Sequence, residues 1–138
     1  MTTTTTKPIT VLIVDDEVDA EPLFRQKFRK EIKAKKIAFH FVLSAADALA
    51  YLEHSDARAE ATLILSDINM PGMNGLELLR VIKEKYTGLT VFMVTAYGDE
   101  ESRQMAKDYG ANGFIHKPVD FVQLKQDVFS LVDVAAQA

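Results

Sequence analysis

The sequence predicts a single doubly wound α/β domain, a (βα)5 unit whose parallel sheet has strand order 2-1-3-4-5. Two observations carry this. Short apolar, β-branched runs recur along the chain, and segments of helical period lie between them. Strands covered on both faces read as near-continuous apolar runs, which marks a parallel sheet. Glycine and proline punctuate the joins at Pro71-Gly72, Gly88 and Gly110.

Ile9 to Val14 is the clearest such run and is assigned to the first strand. Val18 to Lys35 comes next as a helix whose buried stripe is Leu23, Phe24, Phe28 and Ile32. Ala38 to Leu43 is a weaker strand nearer an edge, and Ser44 is the N-cap of a helix over Ala45 to Leu52. Leu63 to Leu65 is the third strand, with a helix from Leu76 to Tyr86 after it. Leu89 to Val94 is the fourth, with a helix over Glu100 to Tyr109. Gly113 to Ile115 is the fifth, and Asp120 caps a last helix over Phe121 to Ala135. Strand–helix–strand crossovers are right-handed in nearly all cases, so helices cover both faces of the sheet. Five such units have a common solution, the flavodoxin-like order, with ligands at the carboxyl ends of the strands beside the reversal between strands 1 and 3.

The chain has 138 residues, a length that suits one domain. We assign residues 1–8 to a disordered N-terminal tail and 9–135 to the folded domain. The threonine run Thr2 to Thr6 has no apolar stretch and is not a secretory signal, and no later segment reaches the ~18 apolar residues of a membrane span. The expected location is cytoplasmic. Cysteine is absent, which excludes disulfides, cysteine zinc sites and thiol catalysis. The net charge of −4 is unevenly distributed: Arg25 to Lys36 holds seven cations against Glu31, a local +6 that leaves −10 elsewhere. This basic segment is read as a solvated helix face, the alternatives being a docking surface for an acidic partner or a weak nucleic-acid patch, and no direct nucleic-acid binding is expected.

The chemistry lies in the residues at the carboxyl end of each strand. The first run ends in Asp15-Asp16, the third in Ser66-Asp67, the fourth in Thr95-Ala96 and the fifth in His116-Lys117-Pro118. In the predicted topology all of these meet at one rim of the sheet. Three adjacent carboxylates cannot all stay charged uncompensated, so the cluster shares a proton or binds a cation. Hard oxygen ligands suit Mg²⁺, which retains waters and accepts phosphate as a co-ligand. A carboxylate can attack phosphorus, and phosphoryl transfer needs mainly positioning and charge neutralisation. Lys117 and the Thr95 hydroxyl supply the remaining groups. Each piece alone reads as a cap, turn or loop residue; their joint placement carries the inference.

These residues resemble the receiver domains of two-component signalling (the CheY-like response regulators). The matching residues are Val14-Asp15-Asp16-Glu17, Ser66-Asp67-Ile68-Asn69-Met70-Pro71-Gly72-Met73-Asn74-Gly75, Val94-Thr95-Ala96, Gly110-Ala111-Asn112-Gly113-Phe114 and Lys117-Pro118. The resemblance covers about Ile9 to Val134. It implies Asp67 as phosphoacceptor, with Mg²⁺ held by the Asp16 and Asp67 side chains, the Asn69 carbonyl and, through water, Asp15. It implies that Lys117 pairs with the phosphoryl group and that its peptide bond to Pro118 is cis. Thr95 would be the switch hydroxyl, beside Ala96, and Phe114 the aromatic that moves with it. Phe114 stands where the family often has Tyr, so its swing would depend on packing alone. Asn69 and Tyr97 would flank the phosphoryl group and set its lifetime. The implied partner is a sensor histidine kinase or histidine phosphotransfer protein. The implied output is a switched surface over the fourth helix, fifth strand and fifth helix, residues 100–134, facing a downstream protein or a second copy in a phosphorylation-dependent homodimer. No effector domain is expected in this sequence, which reads either as a stand-alone receiver or as a piece of a longer protein.

Two other classes share parts of this pattern. A phosphatase of the haloacid-dehalogenase type also uses an Asp nucleophile, but carries a second Asp two residues later, where this chain has Asn69, and has its acidic pair last. A flavodoxin-like cofactor carrier needs a Ser/Thr/Gly-rich first loop; this one is acidic and repels phosphate without a metal. A degenerate receiver is disfavoured by the complete residue set. None of His40, His54 and His116 sits in a phosphotransfer context, and His116 is read as an exposed bystander.

Overall fold

A computed structural model describes residues 8–54, 56–57, 61–70, 72–96 and 99–137. All of the predicted tail except Pro8 lies outside the described residues, as does Tyr97. Among them the order is β1 (Ile9–Val14), α1 (Ala20–Lys27), α2 (Arg29–Lys33), β2 (Ile37–Val42), α3 (Ala45–Leu52), β3 (Ala61–Asp67), α4 (Gly75–Lys85), β4 (Val91–Thr95), α5 (Glu100–Asp108), β5 (Gly113–His116) and α6 (Phe121–Gln137). The strands form one sheet of order β2-β1-β3-β4-β5, and every neighbouring pair is parallel.

Side chains alternate across a strand, so each strand feeds two cores. Leu12, Val14, Ile64 and Met93 pack with Ala48 and Leu52 of α3, Leu79 and Ile82 of α4 and Ala106 of α5. Val11, Ile13, Leu63, Leu65, Val94 and Ile115 pack with Phe24, Phe28, Leu124 and Val128 on the other face. Both faces are therefore covered, which is why β1, β3 and β4 read as apolar without alternation.

The helix expected over Val18 to Lys35 is interrupted at Phe28, whose φ of −104° and ψ of 18° leave the helical region. Its backbone bonds continue, Phe28 donating to Phe24 and Ile32 donating to Phe28, so the interruption is a kink. The Phe28 ring is fully buried, stacked on Phe24 and edge-on to Phe39. Leu23, expected in the buried stripe, is 44% exposed instead. The aromatic cluster of Phe24, Phe28, Phe39 and Phe121 already fills that face. Cations of the basic segment lie on its outside, the Arg25 guanidinium 5.2 Å from the Phe41 centroid and the Lys27 ammonium 5.8 Å from that of Phe121.

The predicted caps are formed. Ser44 Oγ accepts from the Asp47 amide, and Asp120 Oδ1 accepts from Val122 and Gln123. The strands run slightly past their apolar runs, so Asp67, Thr95 and His116 are the last residues of β3, β4 and β5. Their positions are thereby set by the sheet ladder rather than by loops.

Candidate functional site

Because all five strands are parallel, their carboxyl ends share one edge. Val14 is in register with Ser66, Asp67 with Val94, and Thr95 with His116. Asp15 and Asp16 come directly after β1, and the Asp15 amide extends the ladder by donating to the Val42 carbonyl.

Asp67 is 3% exposed, and both of its carboxylate oxygens are engaged. Oδ2 accepts from the Lys117 ammonium at 2.6 Å, and Oδ1 accepts from the Asn69 amide at 3.1 Å. Asp15 is half-buried and Asp16 exposed, and one carboxylate oxygen from each of Asp15, Asp16 and Asp67 lies within 4.8 Å of the others. Asp15 Oδ1 accepts from the Glu17 amide at 2.9 Å, which folds the β1–α1 turn over the site. Glu17 is itself 3.9 Å from the Lys117 ammonium.

Burial lifts the Asp15 carboxyl above its ordinary value; the Glu17 amide opposes this, and the charge of Asp67 adds to it. For Lys117, burial favours the neutral amine, but the hydrogen bond and charge of Asp67, with Asp15 and Glu17 behind them, outweigh it and raise the pKa. The rim thus gathers more negative charge than Lys117 neutralises, an arrangement that favours a bound cation. The donor set fits Mg²⁺. Carboxylate oxygens are the hard ligands Mg²⁺ takes, and waters would complete its shell.

The backbone behind the site is tightly packed. The Gly75 amide donates to the Ile68 carbonyl at 2.8 Å, and a Cβ on Gly75 would collide with the Asp67 carbonyl oxygen. The backbone at residue 75 can lie this close to Asp67 and Ile68 because it has no side chain. Asn74 caps α4 by accepting from the Glu77 amide. The Lys117–Pro118 peptide bond is cis.

Thr95 is buried, and its hydroxyl shares a 3.2 Å hydrogen bond with Nδ1 of His116. The Lys117 amide donates to the Thr95 carbonyl at 3.0 Å, so the two strand ends are tied at backbone and side chain. Ala96 is exposed at the start of the next loop. Phe114 is half-buried under the Arg103 guanidinium, 5.1 Å from its ring centroid. Sequence reasoning misses the bond to His116, for which it expects exposure alone. Strand parity carries the signal: Met93 and Phe114 pack on the same face, so Thr95 and His116, two residues on, share it.

The family model described as "Response regulator receiver domain" matches residues 11–129. An uncharacterised 14.6 kDa protein of Leptolyngbya boryana is 36% identical over 83% of this chain and 82% of its own length. Sporulation initiation phosphotransferase F of Bacillus subtilis is 30% identical over 86% of this chain and 89% of its own. The receiver domain of NtrX from Brucella abortus superposes with a TM-score of 0.75 at 30% identity, covering 89% of this chain and 98% of that one. Other matched relatives are longer, the chain spanning 46% of one and 33% of another.

Proposed function

The chain belongs to the response regulator receiver domain family of two-component signalling, and on that premise we propose that it is a phosphoryl switch whose acceptor is Asp67. The observation that carries this reading is the 2.6 Å bond from Lys117 to a buried Asp67 with two more carboxylates alongside. The receiver unit is taken as residues 9–135.

Asp67 attacks the phosphorus of a phosphohistidine on a sensor kinase or phosphotransfer protein; the P–O bond to the carboxylate forms as the P–N bond breaks, and the imidazole leaves. Lys117 is already held beside the acceptor and pairs with a phosphoryl oxygen. The Thr95 hydroxyl donates to another. Asp15, Asp16, Asp67 and the Asn69 carbonyl would hold Mg²⁺, which supplies charge neutralisation at the phosphoryl group. Free phosphate esters are not substrates. Burying a phosphoryl group beside Thr95 biases a two-state equilibrium, and Phe114 transmits it to the surface of residues 100–134, which docks a downstream protein. Among the described residues no helix is long and apolar enough to cross a membrane, and a cytoplasmic location is part of this reading.

The test is intact mass after incubation with acetyl phosphate and Mg²⁺. One added phosphoryl group is expected, absent in Asp67→Asn and in EDTA; an unmodified wild-type protein refutes the assignment. Tyr97 is assigned to shield the phosphoryl group from water. Tyr97→Ala should shorten its half-life, and an equal or longer half-life would count against shielding.

A further inference from the structure

Thr95 is a buried hydroxyl whose hydrogen-bond partner is an exposed side chain on the neighbouring strand. His116 is in register with Thr95, and the Lys117 amide anchors the next residue to the Thr95 carbonyl. The sheet thereby places residue 116 opposite Thr95, and the ring reaches the hydroxyl at 3.2 Å. The Asp67 oxygens are meanwhile occupied by Lys117 and the Asn69 amide.

A hydroxyl has one proton to donate. With the ring proton on Nε2, the tautomer this inference takes, Nδ1 is an acceptor and the Thr95 hydroxyl donates to it. The same proton cannot also serve a phosphoryl oxygen on Asp67. We propose that His116 is a positioning residue that holds the Thr95 hydroxyl in the resting domain, so that stable phosphoryl capture on Asp67 requires the Thr95–His116 bond to break. This rests on the reading of Asp67 as phosphoacceptor. His116 touches no reacting atom; it acts only through Thr95, and it raises the threshold at which the switch responds.

The test compares three proteins by the rate of phosphoryl uptake from acetyl phosphate with Mg²⁺, measured by intact mass. His116→Val keeps a strand-compatible side chain with no polar atom and should take up phosphoryl about two- to tenfold faster, the factor set by one net hydrogen bond. His116→Asn places an amide oxygen near the position of Nδ1 and should return the rate to within about twofold of wild type, since the acceptor is restored. If the valine variant does not fold, His116→Ala carries the same expectation. A change in packing alone would move the valine and asparagine variants together. Valine at the wild-type rate, or asparagine as fast as valine, overturns the positioning role and leaves Asp67 as acceptor intact. A wild-type protein that takes up no phosphoryl overturns the Asp67 reading, and this inference with it.

Discussion

Single residues set this site through contacts of two kinds. Charged groups are positioned by strand ends, and one glycine lets the loop close behind them. Asp67 holds Lys117 on one oxygen and a backbone amide on the other, which explains how a carboxylate stays at 3% exposure. Gly75 matters because the backbone of Asp67 lies where its Cβ would be. Gly75→Ala should displace residues 67–69, lower stability by ~1–3 kcal/mol as overpacking does, and slow phosphoryl uptake. Urea unfolding and the mass assay measure the two effects, and wild-type values in both would remove Gly75 from this role. The acidic residues, Thr95 and Lys117 are all legible in the sequence because each lies at or just beyond the end of an apolar run. His116 is not, because its role comes from a cross-strand pair, which local pattern does not display.

At the scale of elements, helix ends show where local chemistry and tertiary demand agree or conflict. α5 ends in a Schellman arrangement: Ala111 donates to Ala106, Gly110 donates to Lys107, and Gly110 sits at φ 101°. Asn112 then accepts from the Val91 amide and the Lys83 ammonium, tying β4, β5 and α4 together. The motif from Gly110 to Phe114 is thus largely a structural clasp beneath the site. α2 ends with the same bonds, Lys36 donating to Glu31 and Lys35 to Ile32, but with Lys35 at φ 60°. Lys35→Gly should stabilise the protein by ~0.5–1 kcal/mol, seen as a raised denaturation midpoint, because glycine adopts that conformation without the Cβ penalty. A lowered midpoint would show that the lysine side chain contributes more than its backbone costs.

The kinked α1–α2 pair is fastened to α6 by Lys125, 3.1 Å from Glu31. Burial would raise the Glu31 carboxyl, but a backbone hydrogen bond and Lys125 outweigh it and hold it below its ordinary value. A carboxyl lowered in the folded state stabilises it above the ordinary carboxylate range and loses that contribution as pH falls through the lowered value. Lys125→Met removes the ion pair and the ammonium 5.3 Å from the Phe28 ring centroid, and the ion-pair part of its cost, under ~1 kcal/mol at pH 7, should fade in acid. An equal cost at both pH values would assign the effect to the contact with Phe28 and not to the ion pair.

Across the whole molecule, charge is separated by the sheet. The acidic rim occupies the carboxyl edge, while Lys33, Lys35 and Lys36 precede β2 at the opposite edge. At that rim the Asp15 carboxyl is raised, first by burial and then by the charge of Asp67. A group raised in the folded state lowers stability as pH climbs through its folded value, so Asp15 is destabilising at neutral pH in the absence of a cation. Asp15→Asn should therefore raise the Tm in EDTA by ~1–4 °C. Mg²⁺ should raise the wild-type Tm, since a ligand that binds only the folded state stabilises by RT ln(1 + [L]/Kd), and should raise that of Asp15→Asn by less. Calorimetry in both conditions decides it; no Mg²⁺ response in wild type would leave the acidic rim without a metal role.

The order of apolar runs and helical segments was enough to specify a parallel sheet, its two cores and the residues that end each strand, because burial on both faces writes itself into local composition. Composition near a residue says nothing about which distant side chain it will face. The kink at Phe28, the exposure of Leu23, the collision that makes Gly75 indispensable and the pairing of Thr95 with His116 all depend on interstrand register and on how rings from separate elements share one volume. Those are properties of the assembled sheet, and they come into existence only when the chain has closed around its cores.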